Sequence, residues 1–246
     1  MTRRPTLIVF TREPVAGETK TRLIPRLGAR NAAALAHAFT LDALAKAQNL
    51  RVPIVIAGSA PGDARRASYF RTLARRFDAG LVDQGEGNLG ARMARALAPL
   101  SDAGAVLVGT DTPSLPPKLL ARNVALLLRT RVVLGPSLDG GYYLVGVRGP
   151  LPDIFRGIRW GSAQVLAETI HQLKRMRIPY ALGPSWYDVD RWGDLMLLAA
   201  HLSLYANSVG LRVSRKPIHR SANPSRDPHP CPATARLLAC LGLLSS

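Results

Sequence analysis

The chain has 246 residues, 47% of them hydrophobic and 20% charged, the make-up of a folded protein with a sizeable core, which excludes disordered and fibrous classes. Lys and Arg number 33 against 16 Asp and Glu, and the formal net charge of +17 gives a surface that attracts anions: nucleotides, nucleic acid or acidic lipid. Cys231 and Cys240 are the only cysteines, which excludes a disulfide framework or a Cys-rich zinc site in the main body and fits a reducing, cytoplasmic setting.

From residue 6 onward, short apolar β-branched runs alternate with stretches of helical period, which predicts an α/β fold of three layers, α/β/α, around a mostly parallel sheet. The predicted strands are Thr6 to Phe10, Val52 to Ala57, Gly80 to Asp83, Ala105 to Gly109, Arg131 to Gly135, Tyr142 to Val147 and Pro179 to Leu182. Between the first two, Ala32, Leu35, Ala36, Phe39 and Ala43 share one helical face; Leu166, Ile170 and Leu173 do so later, with Ser162 as the expected N-cap. The run Ser137 to Gly141 reads as a tight hairpin, so at least one pairing is antiparallel and the sheet is mixed. No apolar run approaches the roughly 18 residues of a membrane span. Leu7 to Phe10 is too short for the core of a secretory signal.

Residues 1–211 are expected to form a single domain. Beyond it, Pro217, Pro224, Pro228, Pro230 and Pro232 interrupt a basic stretch without periodicity, so 212–246 is expected to be a disordered tail. From Asn207 the chain carries six Lys or Arg and one acid, a net of +5, which leaves +12 on the body. Arg65, Arg66, Arg71, Arg75 and Arg76 supply part of that excess as a solvated helix face.

Three segments at strand ends carry the candidate chemistry. The first strand opens into a loop holding Arg12, Gly17, Lys20 and Arg22. Cations at the carboxyl edge of an open sheet suit phosphate: glycine lets the backbone approach, lysine acts as a point charge, and each arginine offers a bidentate fork. The order of residues is not that of a Walker loop. The strand Ala105 to Gly109 ends in Thr110, Asp111, Thr112 and Pro113. Pro113 keeps Thr112 extended and turns the chain away after Asp111, whose carboxylate is then a natural ligand for Mg²⁺ or Mn²⁺ beside phosphate. In Asp188-Val189-Asp190 the two acids face the same way in extended geometry; Asp190 is the expected second metal ligand, Asp188 the next choice, and Asp194 a structural residue of a following first turn.

Two further motifs read in two ways. Asp139, Gly140 and Gly141 serve either as a turn that needs positive φ or as a pocket for sugar or acceptor hydroxyls. Gly85-x-Gly87-Asn88-x-Gly90 imitates a dinucleotide fingerprint by spacing, yet the basic N-terminal loop has no role in a nicotinamide enzyme.

Taken together, Arg12-x-Pro14-x-x-Gly17-x-x-Lys20-Thr-Arg22-Leu23, Gly87-x-Leu89-Gly90-x-Arg92-Met93, Gly109-Thr-Asp111-x-Pro113-x-Leu115, Gly135-Pro-x-x-Asp139-Gly-Gly-Tyr142, Trp160 and Asp188-Val-Asp190 resemble a bacterial family of transferases with the glycosyltransferase-A fold. That family is of the arsenosugar-biosynthesis or radical-SAM-associated type and is related to phospholactate and molybdenum-cofactor guanylyltransferases. The resemblance spans roughly residues 5 to 206 and implies a nucleotide-diphospho-sugar transferase fold. It further implies Lys20 and Asp111 as catalytic residues, phosphate contacts at Lys20 and Arg22, a nucleotide pocket including Gly87, Asn88 and Gly90, a substrate role for Trp160, and a metal site at Asp111 and Asp190. Ser114 stands where relatives often carry an acid. Two reactions share such a site, glycosyl transfer from a nucleoside-diphosphate sugar to a small acceptor, which leads, and nucleotidyl transfer from a triphosphate to a phosphorylated small molecule. Binding of nucleic acid is the contrary reading; the low aromatic content and the lack of a recognisable nucleic-acid-binding motif argue against it.

Overall fold

The computed structural model describes residues 4–60, 62, 67–209 and 231–244. Seven strands, β1 (Thr6–Arg12), β2 (Ile54–Ser59), β3 (Gly80–Asp83), β4 (Ala105–Gly109), β5 (Val132–Pro136), β6 (Tyr142–Val147) and β7 (Tyr180–Leu182), form one sheet in the order β3-β2-β1-β4-β6-β5-β7. Every neighbouring pair is parallel except those made by β6, which runs antiparallel to β4 and β5. The expected mixed, mostly parallel sheet is therefore present, with the reversal at the hairpin of Ser137–Gly141. β1 runs two residues past its predicted end because Thr11 and Arg12 continue the ladder with Gly58 and Ser59.

The central strands are apolar on both faces because helices cover both. Alternation sorts their side chains: Leu7, Val9, Val106, Val108 and Val133 enter one core, and Ile8, Ala105, Leu107, Val132 and Leu134 the other. The first core lies under α2 (Ala29–Asn49), α3 (Ser68–Phe77) and α5 (Pro117–Leu127), through Leu41, Leu44, Phe70, Leu73 and Leu120. The second lies under α4 (Leu89–Leu97) and α6 (Val165–Arg175), through Met93, Leu97 and Leu173. A short α1 (Ile24–Leu27) precedes α2. The outer side of α2, with Leu35 and Phe39, packs against α7 (Trp192–Val209) and α8 (Pro232–Cys240) in a third cluster. Among the described residues no helix is long and apolar enough to cross a membrane.

Two expectations are corrected. Ser162 does not cap α6; the helix begins at Val165, and the Ser162 hydroxyl accepts from the amide of Gln164 one turn earlier (3.2 Å). Residues 231–244 are not disordered: α8 buries Ala233, Ala235 and Leu238, an amphipathic run that the surrounding prolines conceal in composition. The remainder of the expected tail, 212–230 and 245–246, lies outside the described residues, as do Arg65 and Arg66. Arg71 and Arg75 are exposed on α3.

Candidate functional site

β1 and β4 are parallel neighbours, so the loops that leave them emerge at the same edge of the sheet. There they form, with the segment 188–190, a cleft of about 740 Å³. Arg12, Lys20, Arg22, Asp111 and Asp190 all line it. Residues from three separated segments of the sequence thus share one space.

The Lys20 ammonium is the hub. Its Nζ lies 2.7 Å from Asp111 Oδ1 and 2.8 Å from Asp190 Oδ1, and donates to the carbonyl of Val189 at 2.8 Å. Burial disfavours the charged amine, but the two carboxylates outweigh it and hold the Lys20 pKa above the ordinary lysine value. Backbone bonds place these groups. The Val189 amide donates to the Asp111 carbonyl at 2.8 Å, tying the two acidic segments together. Asp194 Oδ2 accepts from the amides of Asp190 (3.1 Å) and Arg191 (2.7 Å), the reach of a third helical residue back to the start of α7. Asp194 is therefore structural, as its position in a first turn suggested. Ser114 donates to the Tyr187 hydroxyl (2.8 Å) and accepts from the Trp186 indole (3.2 Å), another link between the same two segments.

Asp188 also lines the cleft, with Oδ2 held by the Ser137 hydroxyl. Burial first, then the neighbouring carboxylates of Asp139, Asp111 and Asp190, push its pKa up to about 7 against the Ser137 hydrogen bond. A cluster of acids this close favours protons or cations.

On the opposite wall stand Phe10, Gln84, Leu89, Arg92 and Met93. Gln84 is fully buried and immobilised: its amide nitrogen donates to the carbonyls of Thr11 (2.8 Å) and Ala57 (2.7 Å), and its oxygen accepts from Arg92. The Arg92 guanidinium lies 5.7 Å from the Phe10 ring centre, and its Nε is buried without a hydrogen-bond partner. Burial, and then the nearby Arg12, lower its pKa. An anionic group between Arg12 and Arg92 would relieve both. Nothing in the spacing of Gln84 or Arg92 marks either for this cleft, although Arg92 follows Gly90 by two residues.

The other predicted residues support the walls without lining the cleft. Gly17 lies in the loop at φ 92°. Gly87 (φ 106°) leads into α4, whose N-cap Asn88 accepts from the Ala91 amide at 2.9 Å. Gly90 lets α4 approach Trp160: a Cβ there would come within 2.6 Å of the indole ring. The Trp160 Nε1 is buried without a partner. Asp139 stabilises its own turn by accepting from the Gly141 amide at 2.9 Å, and a Cβ on Gly140 would lie 2.1 Å from the Ala163 carbonyl oxygen. For Gly140 the turn-forming reading has a direct steric basis.

Residues 40–162 match the family described as an uncharacterized protein conserved in bacteria (DUF2064). No curated protein matches the chain. The fold is similar to the crystal structure of a candidate nucleotide-diphospho-sugar transferase from Desulfovibrio desulfuricans G20, at 28% identity and a TM-score of 0.77, covering 98% of this chain and 96% of that one. It is also similar to a nucleotidyl transferase from Methanothermobacter thermautotrophicus (13% identity, TM-score 0.52, 80% and 97% covered) and to the inositol-1-phosphate CTP transferase from T. maritima (12%, 0.50, 79% and 92%). The latter two likenesses concern the fold alone.

Proposed function

The chain belongs to the DUF2064 family, and from that footing we propose that it is a transferase that draws on a nucleotide-activated donor, moving a glycosyl group from a nucleoside-diphosphate sugar to a small acceptor. The observation that carries this reading is Lys20 bonded to both Asp111 and Asp190 inside the cleft at the carboxyl edge of the sheet. The similarity to the candidate nucleotide-diphospho-sugar transferase, over nearly all of both chains, supports it. The motif resemblance supports the arsenosugar-biosynthesis or radical-SAM-associated branch.

The charge in the cleft favours a diphosphate. Lys20 is already matched by two carboxylates, so Arg12, Arg22 and Arg92 are the cations left to meet phosphoryl oxygens. A triphosphate would ask more of them. Those three guanidiniums are nevertheless the feature that favours the second reading, nucleotidyl transfer from a triphosphate.

The donor set fits Mg²⁺ or Mn²⁺. Asp111 and Asp190 offer hard oxygen atoms from two segments, their side chains are 46% and 42% exposed, and the raised pKa of Asp188 marks the same acidic cluster as one that would gain from a cation. Among the described residues no group of three or more His, Cys, Asp or Glu is suited to a metal, so phosphate oxygens of the donor would complete the shell. A bound ion would supply Lewis-acid stabilisation of the departing diphosphate. Arg12 and Arg22 would orient that diphosphate, Gln84 keeps Arg92 in place on the facing wall, and Leu89, Met93 and Phe10 exclude water there.

A thermal-shift screen of nucleoside-diphosphate sugars and nucleoside triphosphates, each with and without Mn²⁺, tests the reading, since a ligand that binds only the folded state raises its melting temperature. Stabilisation by a nucleotide sugar that depends on Mn²⁺ is expected. Stabilisation by triphosphates alone would replace glycosyl with nucleotidyl transfer, and no response to any nucleotide would overturn both. Asp111→Asn is expected to fold and to lose metal-dependent turnover by about a hundredfold, the scale of removing one electrostatic contact to a developing charge. Turnover equal to wild type at saturating Mn²⁺ would remove Asp111 from its role.

A further inference from the structure

The C-terminal helix reaches the site through two buried charges. α2 places Asp42 and Lys46 one turn apart on the same face, and both are buried, at 0% and 5% exposure. Buried ions persist only where partners replace water. Asp42 finds them in α8: Oδ1 accepts from the Ala233 amide at 2.8 Å, and Oδ2 accepts from the Thr234 amide at 2.8 Å and the Thr234 hydroxyl at 2.5 Å. The N-cap residue of α8, Cys231, makes no side-chain capping bond, so a carboxylate from a helix 191 residues earlier satisfies the first-turn amides instead. Lys46 has a different partner. Burial works against its ammonium, with Cys231 and Asp42 acting in its favour, and the Nζ donates to the carbonyl of Pro113.

Pro113 stands two residues after Asp111, in the loop that leaves β4. That loop is pinned across the cleft by the Val189 amide on the Asp111 carbonyl, and from beneath by Lys46. We propose that Lys46, on the face of α2 from which Asp42 caps the first turn of α8, is a positioning residue for Asp111, so that α2 and the helix docked on it belong to the framework of the site. The proposal rests on the reading of Asp111 as a carboxylate of that site.

Stability alone gives a poor account of this arrangement. Replacing buried ionic groups by apolar side chains of similar volume is commonly neutral or stabilising, so packing α2 does not call for these charges. What an apolar side chain at 46 could not do is hold the Pro113 carbonyl. Proline fixes its own φ and offers no amide, which leaves the carbonyl as the one backbone hydrogen-bonding group by which this turn can be gripped at that residue.

The experiment compares wild type with two double variants, Asp42→Asn/Lys46→Met and Asp42→Asn/Lys46→Gln, titrated with Mn²⁺ alone by calorimetry and melted in parallel. Both remove the two charges together, which avoids the stranded ion that either single substitution would leave. The Met variant is expected to melt near wild type but to bind Mn²⁺ about tenfold more weakly, the scale seen when an outer support of a metal ligand is lost. The Gln variant restores a donor for Pro113 and is expected to recover most of that affinity. Wild-type affinity in the folded Met variant would overturn the positioning role while leaving the site reading intact, as would equal weakening in both folded variants. If wild type itself bound no Mn²⁺, the reading of Asp111 would fall first and the proposal with it. If neither variant folded, the charges would be shown to serve the fold and the proposal would be overturned.

Discussion

Lys20 combines two features that each carry a cost. Its backbone lies in the left-handed region at φ 50°, which side chains other than glycine occupy at about 1 kcal/mol or more, and its ammonium is almost fully buried. Three short contacts offset both. The same two carboxylate oxygens are those a divalent cation would seek, so amine and metal compete for them. Lys20→Met is accordingly expected to bind Mn²⁺ in the absence of nucleotide about tenfold more tightly, a difference of ~1.4 kcal/mol, while its turnover falls; a calorimetric titration giving unchanged or weaker binding would contradict the competition. That Asp111 reaches the sheet edge was legible in the sequence, because a strand followed at once by charge delivers that charge there; Lys20 and Asp190 arrive by longer loops. Their mutual pairing was not legible. Spacing fixes the edge at which a side chain emerges, and says nothing about whether a lysine there faces a ligand or an acid.

Among the elements, the β5–β6 hairpin and α8 make opposite cases. The hairpin was visible because Asp-Gly-Gly leaves few alternatives, and its tightness is testable: Gly140→Ala must place a methyl group against the Ala163 carbonyl at φ 90°. A loss of about 2–4 kcal/mol is expected in urea denaturation, and a loss below about 0.5 kcal/mol would mean that the turn relaxes. α8 was hidden because prolines dominate the composition around it and its capping carboxylate comes from α2. Asp42 gives that docking a pH signature. Burial raises its pKa from 3.8 to about 6, against the pull of Lys46 and of the Thr234 and Ala233 donors, so the native state binds a proton more readily than the unfolded chain. Its contribution is then complete below about pH 3.8 and is lost as the pH rises through about 6, by up to roughly 3 kcal/mol at 1.36 kcal/mol per unit. The unfolding free energy of wild type relative to Asp42→Asn should fall as the pH rises across that window; a difference flat from about pH 4 to pH 7 would show Asp42 uncoupled from folding.

At the scale of the whole molecule, the layers divide the labour. The sheet and its two cores set one rigid edge, and a net charge of +17 over the whole sequence draws anions toward the protein. Nucleotides should therefore associate faster than neutral molecules of the same size, and raising the salt from about 0.02 M to about 0.5 M should slow their binding by roughly tenfold as the Debye length shrinks. Stopped-flow with a fluorescent nucleotide checks this, and a rate indifferent to salt would place the excess charge away from the approach path. The composition declared the charge but not its address, since arginines on α3 and arginines in the cleft look alike in a sequence. The lone reversed strand has a lasting effect on such an enzyme. Because β6 runs against its neighbours, its first residues, Tyr142 and Tyr143, arrive at the cleft beside the last of β5, joined by a turn of only a few residues. Lengthening or trimming that one turn would reshape one end of the cavity while the opposite end kept its form, an anatomy on which a lineage could change acceptors and retain its donor.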